Sequence, residues 1–258
     1  MSINIFILNV NPFFESYIQS DFLGKLIFLA LYALSIGSWT LLIYKTWLTY
    51  QAKKQAFRFY ESFQLQRLNP LNLDCDHLSK KNQTMNPFLK IYQTLKKQSL
   101  DLLAKNRHFN QLSGSETSYM TSTPLSSPTY LSLSDIDYVA SHLSTQVAQQ
   151  IKELEKSLYV LSTTVSLAPF LGLLGTVWGI LTTFSQLQSQ AAGQTHDMVL
   201  GGLSMALATT VLGLLDAIPA LVGYNYLKNS IRDFAIEMEG FSNEVLAAVE
   251  LQYRKVDA

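Results

Sequence analysis

Two long apolar stretches near the end of the chain restrict its fold most strongly. Residues 168–184 read APFLGLLGTVWGILTTF, and residues 202–226 read GLSMALATTVLGLLDAIPALVGYNY. An α-helix rises 1.5 Å per residue, so about 20 residues cross the roughly 30 Å hydrocarbon core of a bilayer. Both stretches contain glycine and threonine, and the second also contains Asp216. This composition predicts membrane helices that pack closely on other helices and line a path for something polar.

A third stretch without charge, residues 26–44, completes the prediction of three membrane spans. Of the 19 Lys and Arg residues, all but Lys25 lie between the first two spans or after the third. Because basic flanks stay in the cytoplasm, we expect the N-terminus outside and the C-terminus inside the cell. The predicted fold is an all-α membrane protein with three transmembrane helices. The second and third are expected to extend into the cytoplasm as long helices, with a cytoplasmic helical domain between spans 1 and 2.

Two apolar stripes with helical spacing lie outside the spans. A helix is expected to restart at Ser134, with Asp137 three residues later as a capping box. No breaker is evident before Pro169, so this helix is expected to run on into the second span. Packing of both stripes within the chain and packing between subunits remain equally compatible with the pattern. The first stripe comprises Ile136, Val139, Leu143, Val147, Ile151, Leu154 and Leu158, and the second Ile231, Phe234, Met238, Phe241, Val245 and Val249.

Small residues and threonines share helix faces within the last two spans. At 100° per residue, one face of the second span combines Gly172, Thr176, Gly179 and Thr183, and one face of the third combines Ala206, Thr210, Gly213, Ala217 and Ala220. Glycine and alanine let helix backbones approach closely. The hydroxyl groups either bond a carbonyl of their own helix or hold water or an ion, and spacing alone favours packing.

Asp216 makes the polar path the favoured alternative. An ionised carboxylate in hydrocarbon costs roughly 2.5–3.5 kcal/mol on insertion scales, so the side chain is expected to face protein or water. Eleven uncharged residues separate it from Lys228, which argues against a position at the membrane surface. The alternative is a wet vestibule where the helix leaves the membrane.

The last two spans resemble the TolQ/ExbB/MotA family of inner-membrane, ion-driven motor subunits. The matching residues form the run PFLGLLGTVWG at 169–179, followed by Ala206-Leu207, Thr210, Gly213-Leu214, Ala217-Ile218-Pro219-Ala220 and Tyr224-Asn225. Within the first span, residues 34–39 and the short outward segment before it look closer to TolQ than to ExbB.

The resemblance implies a pentamer of this chain, surrounded by membrane lipid, around the transmembrane helices of a TolR- or ExbD-like partner. A TolA- or TonB-like protein is a further possible partner. Proton flow would drive the partner and transmit force to the cell envelope, which serves outer-membrane integrity and cell division. The alternatives are an ExbB-like subunit that energises TonB-dependent transport and a membrane scaffold without ion coupling. The implied location is the bacterial inner membrane.

The resemblance also assigns roles to residues. Thr176 and Thr210 match the threonines of the proton route, and we add Asp216 and Thr183 as candidates for lining it. Helix packing is expected from the small residues and prolines of both spans, namely Pro169, Gly172, Gly175, Gly179, Ala206, Gly213, Ala217, Pro219 and Ala220.

One position departs from the family pattern. TolQ and ExbB proteins carry a glutamate where this chain has Met205, and Asp216 occupies a position that is usually small and apolar. Asp216 lies eleven residues later, which returns to nearly the same helix face about 16 Å along the axis. We hypothesise that Asp216 supplies the missing acid nearer the inner side. The alternative is that the ring needs no acid of its own.

The sequence and the resemblance together divide the chain into consecutive segments. These are a periplasmic segment at 1–21, span 1 at 22–47, a cytoplasmic helical domain at 48–156, span 2 at 157–184, a periplasmic loop at 185–197, span 3 at 198–227 and a cytoplasmic C-terminal helix at 228–258. A flexible loop rich in Ser and Thr is expected at 113–134 within the cytoplasmic domain. We predict no enzyme activity, cofactor or metal, because the chain shows no nucleotide loop, catalytic triad or ligand cluster. The balanced charge gives no indication of nucleic-acid binding.

Overall fold

The structure is a computed structural model that describes residues 13, 16–18, 20–67, 69–73, 86–114, 130–189 and 195–254. It contains five long helices: α1 (Phe22–Leu65), α2 (Pro87–Gly114), α3 (Leu133–Glu155), α4 (Leu158–Ser189) and α5 (Thr195–Tyr253). No strand occurs among the described residues, so the predicted all-α fold is confirmed. Most of segment 1–21, residues 115–129 of the Ser/Thr-rich loop and residues 190–194 of the periplasmic loop lie outside the described residues.

Three helical stretches are long and apolar enough to cross a membrane, as the sequence predicts. They are Phe22–Leu65, Leu133–Gln188 and Val199–Tyr253, with mean hydropathies of 2.1, 1.7 and 1.9 in their most apolar windows. The protein is therefore a helical membrane protein with three spans.

The described chain divides into two compact units. The first, called the span unit here, comprises Met1–Thr46 and Lys156–Lys228, and the second, called the helical unit, comprises Trp47–Glu155 and Asn229–Ala258. Helices α1 and α5 each contribute residues to both units.

Within the span unit, the direction of each helix follows from its contacts. Gly24 of α1 lies against Met205 of α5, and Leu42 further along α1 lies against Gly223. These two helices therefore run in the same direction, whereas contacts of α4 with α5 pair residues in opposite order. This alternation is what three successive crossings of a membrane require. An apolar cluster joins all three helices and comprises Ile27, Leu31, Ala168 and Ala217 with Leu23, Leu171 and Leu212 around it.

Both apolar stripes outside the spans pack within this single chain. Every member of the C-terminal stripe is at most 3% exposed, and in the first stripe only Ile151 is not fully buried. Gln150 takes the buried position next to it. The alternative left open by the sequence is thus decided in favour of packing inside the chain. The core also includes residues from α1 and α2, namely Ala56, Phe59, Phe63, Phe88, Leu89, Ile91, Tyr92 and Leu95.

The predicted continuous helix into span 2 is interrupted. A two-residue turn at Lys156 and Ser157 separates α3 from α4, and Ser157 has a φ of 75°. A residue in this left-handed region cannot continue a right-handed α-helix. The Ser157 carbonyl then accepts the Val160 N–H and starts the next helix. Pro169 lies inside α4 and does not end it. The C-terminal extension of span 3 is continuous, since α5 runs unbroken to Tyr253.

The capping box at the start of α3 lies two residues earlier than predicted. The Ser132 hydroxyl accepts the Asp135 N–H at 3.2 Å, and Asp135 Oδ2 accepts the Ser132 N–H at 3.0 Å. Ser134 and Asp137 have the same spacing but fall inside the helix, which begins at Leu133. Asn106 of α2 also donates to Asp135 Oδ2 at 3.0 Å, which favours this register.

Candidate functional site

The seam between α4 and α5 brings two helix backbones into direct contact. A Cβ atom on Gly213 would stand 2.6 Å from the Ala168 carbonyl oxygen, so no larger residue fits there without backbone movement. A Cβ atom on Gly175 would likewise overlap the side chain of Thr209, whose Cβ would be 2.6 Å away. These close approaches explain why the last two spans contain glycine where a simple anchor helix would contain leucine.

Further residues that we predicted for helix packing lie along this seam or are buried elsewhere in the same helices. Gly172 faces Thr209 and Thr210, and Gly179 faces Gly202 and Ala206. Ala206, Ala217 and Ala220 are buried, whereas Pro169 and Pro219 are half-buried inside their helices.

The threonines of the last two spans use their hydroxyl groups in two ways. Thr176 donates to the Leu173 carbonyl at 2.7 Å, and Thr183 donates to the Gly179 carbonyl at 2.7 Å, both within α4. Thr210 instead donates across the seam to the Gly172 carbonyl at 3.2 Å. The unpredicted Thr209 is fully buried and donates to the Ala206 carbonyl at 2.8 Å. Thr176 and Thr183 therefore bond a carbonyl of their own helix, which is one of the two alternatives given above. Thr210 links the two spans.

Asp216 lies two turns after Thr209 on the same face of α5, and its carboxyl group bonds to α1. It is 3% exposed and accepts a hydrogen bond from the Ser38 hydroxyl of α1 at 2.9 Å. Its second oxygen, Oδ2, has no hydrogen-bond partner among the described residues. Protein encloses the carboxyl group, which excludes the open vestibule considered above. Among the described residues, no hydrogen bond joins Asp216 to Thr176, Thr183 or Thr210.

Met205 occupies the position where the resemblance expects a glutamate. It is 5% exposed and packs against Gly24 of α1, where a Cβ atom would collide with its terminal methyl group. Met205 and Asp216 therefore both face α1, as their spacing on one helix face predicts. The role of every predicted site residue stays a prediction.

Sequence reasoning missed two polar partners, one within span 1 and one just before it. Ser38 binds Asp216, and Asp21 accepts the Trp178 indole N–H at 2.7 Å while its other oxygen accepts the Gly24 N–H at 3.0 Å. A buried acid needs a polar partner, so the hydroxyl groups of the charge-free span 1 were the signal that could have identified Ser38.

The fold and this seam define a helical membrane protein with three spans, the last two of which pack backbone to backbone. Residues 115–240, which include both of those spans, match the MotA/TolQ/ExbB proton channel family. The chain is 41% identical over 103 residues to the biopolymer transport protein ExbB of Aquifex aeolicus, a match that covers 40% of this chain and 69% of that protein. The chain belongs to the MotA/TolQ/ExbB proton channel family.

Two further relatives carry the other family name. The Tol-Pal system protein TolQ of Haemophilus influenzae is 44% identical over 91 residues, or 35% of this chain and 39% of that protein. The TolQ protein of Pseudomonas aeruginosa is 39% identical over 87 residues, or 34% and 37% of the two chains. The match thus spans less than half the length of either TolQ protein, and it does not separate a TolQ from an ExbB assignment.

Proposed function

We propose that this chain is an inner-membrane subunit of a Tol-Pal-type motor. The proton motive force would drive a single-span TolR- or ExbD-like partner, which transmits force to the cell envelope for outer-membrane integrity and cell division. The observation that carries the proposal is the α4–α5 seam, where Thr210 bonds the Gly172 carbonyl within the segment that matches the proton channel family. Thr176, Thr183, Thr210 and Asp216 are our candidates for lining the proton route.

Assembly into a ring is supported by the outer surfaces of the spans. The side chains of Phe170, Val177, Leu207, Leu215 and Val222 are each at least 59% exposed in the single chain. In a membrane protein such surfaces contact lipid or neighbouring helices. We propose a pentamer around the partner's transmembrane helices, with lipid outside, the N-terminus in the periplasm and the C-terminus in the cytoplasm. The segment boundaries given above are part of this proposal.

A second candidate function is a scaffold without ion coupling, and Met205 favours it. The buried methionine fills the family's acidic position with an apolar contact to Gly24. An ExbB-like role in TonB-dependent transport differs only in its partner. Copurification from membranes, with identification of the associated single-span protein, separates the TolQ and ExbB roles.

Crosslinking in living cells tests proton coupling. A photoreactive residue on the face of span 3 that we propose to line the inside of the ring would report contact with the copurified partner, with and without an uncoupler. We expect the crosslinking pattern of the native chain to change when the uncoupler collapses the proton gradient. In Thr176→Val and Thr210→Val, which lose the hydroxyl but keep the shape, we expect that response to disappear.

Thr163→Val is the matched control, because Thr163 also lies in α4 and donates to a carbonyl of its own helix, that of Tyr159, at 2.8 Å. This variant should respond to the uncoupler like the native chain. If the crosslinking pattern of the native chain does not change with the uncoupler, the motor proposal is wrong and the scaffold without ion coupling is favoured. Equal loss of response in all three variants would show a general packing effect and overturn the assigned route.

A further inference from the structure

Asp216 and Ser38 form a buried polar pair between α5 and α1. Both side chains are 3% exposed, and Ser38 Oγ lies 2.9 Å from Asp216 Oδ1. The same Ser38 Oγ lies 3.0 Å from the Ser35 carbonyl oxygen, one turn earlier in α1. The hydroxyl group therefore has two oxygen neighbours at hydrogen-bonding distance.

The number of protons decides how both contacts form. A serine hydroxyl has one proton to donate and also accepts, whereas an ionised carboxylate only accepts. Ser38 can thus give a full hydrogen bond to the Ser35 carbonyl or to ionised Asp216, but not to both. Both contacts are full hydrogen bonds only when Asp216 carries a proton, donates it to Ser38 Oγ and leaves the serine proton for the Ser35 carbonyl.

The surroundings of the second carboxyl oxygen are consistent with a protonated Asp216. Asp216 Oδ2 is buried and has no hydrogen-bond partner among the described residues. A buried charge without partners is far more costly than a buried neutral polar oxygen. The orphaned Oδ2 is therefore better explained as the carbonyl oxygen of a neutral carboxyl group.

Charged groups on the packed helices lie further along the spans. In the span unit they are Asp21, just before α1, and Lys25 and the buried Lys45 on α1. Lys45 lies two turns beyond Ser38 on the same face. Lys156, just before α4, lies close enough to Lys45 to repel it, and α4 itself carries no charged residue. On α5 the next titratable groups are Tyr224 and Lys228. Ser38 is the side chain that the structure shows bonded to Asp216.

We propose that Asp216 and Ser38 form a reversible proton-binding site between spans 1 and 3. In the proton-bound state, Asp216 Oδ1 donates to Ser38 Oγ, and Ser38 donates to the Ser35 carbonyl. When the proton leaves, the Ser38 hydroxyl turns and donates to the carboxylate, so the Ser35 bond breaks as the new one forms. A role for this site in the motor rests on the proposed function, whereas proton binding itself is measurable without a partner.

Infrared difference spectroscopy tests the site on the full-length chain in lipid vesicles while the pH is changed. The other acids of the chain also give carboxyl bands as the pH falls, and among these bands we expect one that titrates reversibly and is lost in Asp216→Asn. Ser38→Ala should move that band to the frequency of a more weakly hydrogen-bonded carboxyl group. Ser35→Ala keeps the backbone carbonyl that accepts from Ser38 and should leave the band in place, which makes it the matched control.

Two outcomes would overturn the proposal. One is a set of carboxyl bands that Asp216→Asn leaves unchanged at every pH tested. The other is a band that Ser38→Ala fails to move or that Ser35→Ala moves equally. Asp216→Glu keeps a carboxyl group and should give a band at a changed frequency, so the test does not depend on the folding of one variant. Because the readout needs neither partner nor gradient, a failure here is distinct from a failure of the crosslinking test.

Discussion

The two units of the molecule hold their helices together with different residues. In the span unit, α4 and α5 meet through glycines, and the Gly213 α-carbon region lies directly against the Ala168 backbone. In the helical unit, the helices meet through aromatic rings. The rings of Phe88 and Phe241 stack with centroids 4.3 Å apart, and Phe59 and Tyr92 approach to 5.6 Å.

The difference is what we expect if the span unit lies in lipid and the helical unit lies in water. Lipid is as apolar as leucine, so helices in a membrane gain little from burying large side chains and depend on close backbone contact and hydrogen bonds. In water, the burial of an aromatic ring is itself a large stabilising term. The division therefore supports the prediction that the spans lie in a bilayer and that the helical unit lies in water.

The largest expected effect is that of removing a central ring from the helical unit. Phe88 is 5% exposed and stacks on both Phe234 and Phe241. Phe88→Ala should lower the free energy of unfolding of this unit by about 3–5 kcal/mol, because it removes buried area and leaves a cavity. Amide hydrogen exchange of the full chain in lipid nanodiscs would measure this as faster exchange at the buried residues of α2 and α3.

Phe57→Ala is the matched control, since Phe57 is 50% exposed. This variant should change the free energy of unfolding of the helical unit by less than about 1 kcal/mol. If Phe88→Ala accelerates exchange in the α4–α5 seam as much as in α2, the two units are not separate cooperative units. The comparison between them would then be wrong.

The next effect concerns the glycine contact of the span unit. A methyl group at position 213 would lie 2.6 Å from the Ala168 carbonyl oxygen. Gly213→Ala should therefore destabilise the packing of α4 on α5 by about 1–3 kcal/mol, the usual range for overpacking. Faster amide exchange in the segments that flank Ala168 and Gly213 is the expected readout.

Gly37→Ala provides the control within the same unit. Apart from the local backbone of α1, no atom of the described residues lies within 4 Å of the position that a Cβ atom would take at Gly37. Because alanine favours the helix over glycine by roughly 0.5–1 kcal/mol, this variant should be neutral or slightly stabilised. Equal destabilisation by both substitutions would show that the glycines do not act through close contact.

The sequence predicts the helices of both units well because the signals are local. Charge-free runs locate the three spans, and the 3.6-residue period of the C-terminal stripe identifies the face that is buried. The turn before α4 was not predicted because serine is not a usual helix breaker. Ser157 adopts its left-handed conformation only in the tertiary structure. The capping box was misplaced because two Ser-x-x-Asp pairs overlap, and a contact from Asn106 on another helix favours the first.

The sequence predicts which residues are candidates for the site, but not which of them lie next to one another. Helical spacing correctly placed Met205 and Asp216 on one face. It cannot say which neighbouring helix that face meets, since this depends on how three helices associate. The structure shows that the acid bonds to Ser38 of span 1 and that Thr183 and Thr210 lie at the α4–α5 seam. Among the described residues, no hydrogen bond joins the acid to either threonine.

The smallest expected effect contrasts how hydroxyl groups act in the two units. In the span unit, Thr176 and Thr183 donate to carbonyls within a helix, whereas Ser132 in the helical unit accepts an N–H at the start of α3. Ser132→Ala should cost about 1 kcal/mol, the usual value for loss of an N-cap. Hydrogen exchange of the first turn of α3 would report this change.

The pH dependence of the same cap shows how much the charge of Asp135 contributes beyond its neutral hydrogen bonds. Partial burial opposes ionisation of Asp135, but the Ser132 N–H, Asn106 and the Ser132 hydroxyl, with Lys105 nearby, together hold its pKa below the ordinary value. A carboxyl group whose pKa is lowered by folding stabilises the fold above its unfolded pKa of about 3.9, and this contribution is lost as the pH falls through the lower folded value. Exchange of the first turn, corrected for intrinsic rates, should therefore accelerate below about pH 4 in the native chain. In Asp135→Asn, which still accepts the Ser132 N–H, this dependence should vanish. Its persistence in that variant would assign the pH response to another group and leave the cap a purely neutral contact.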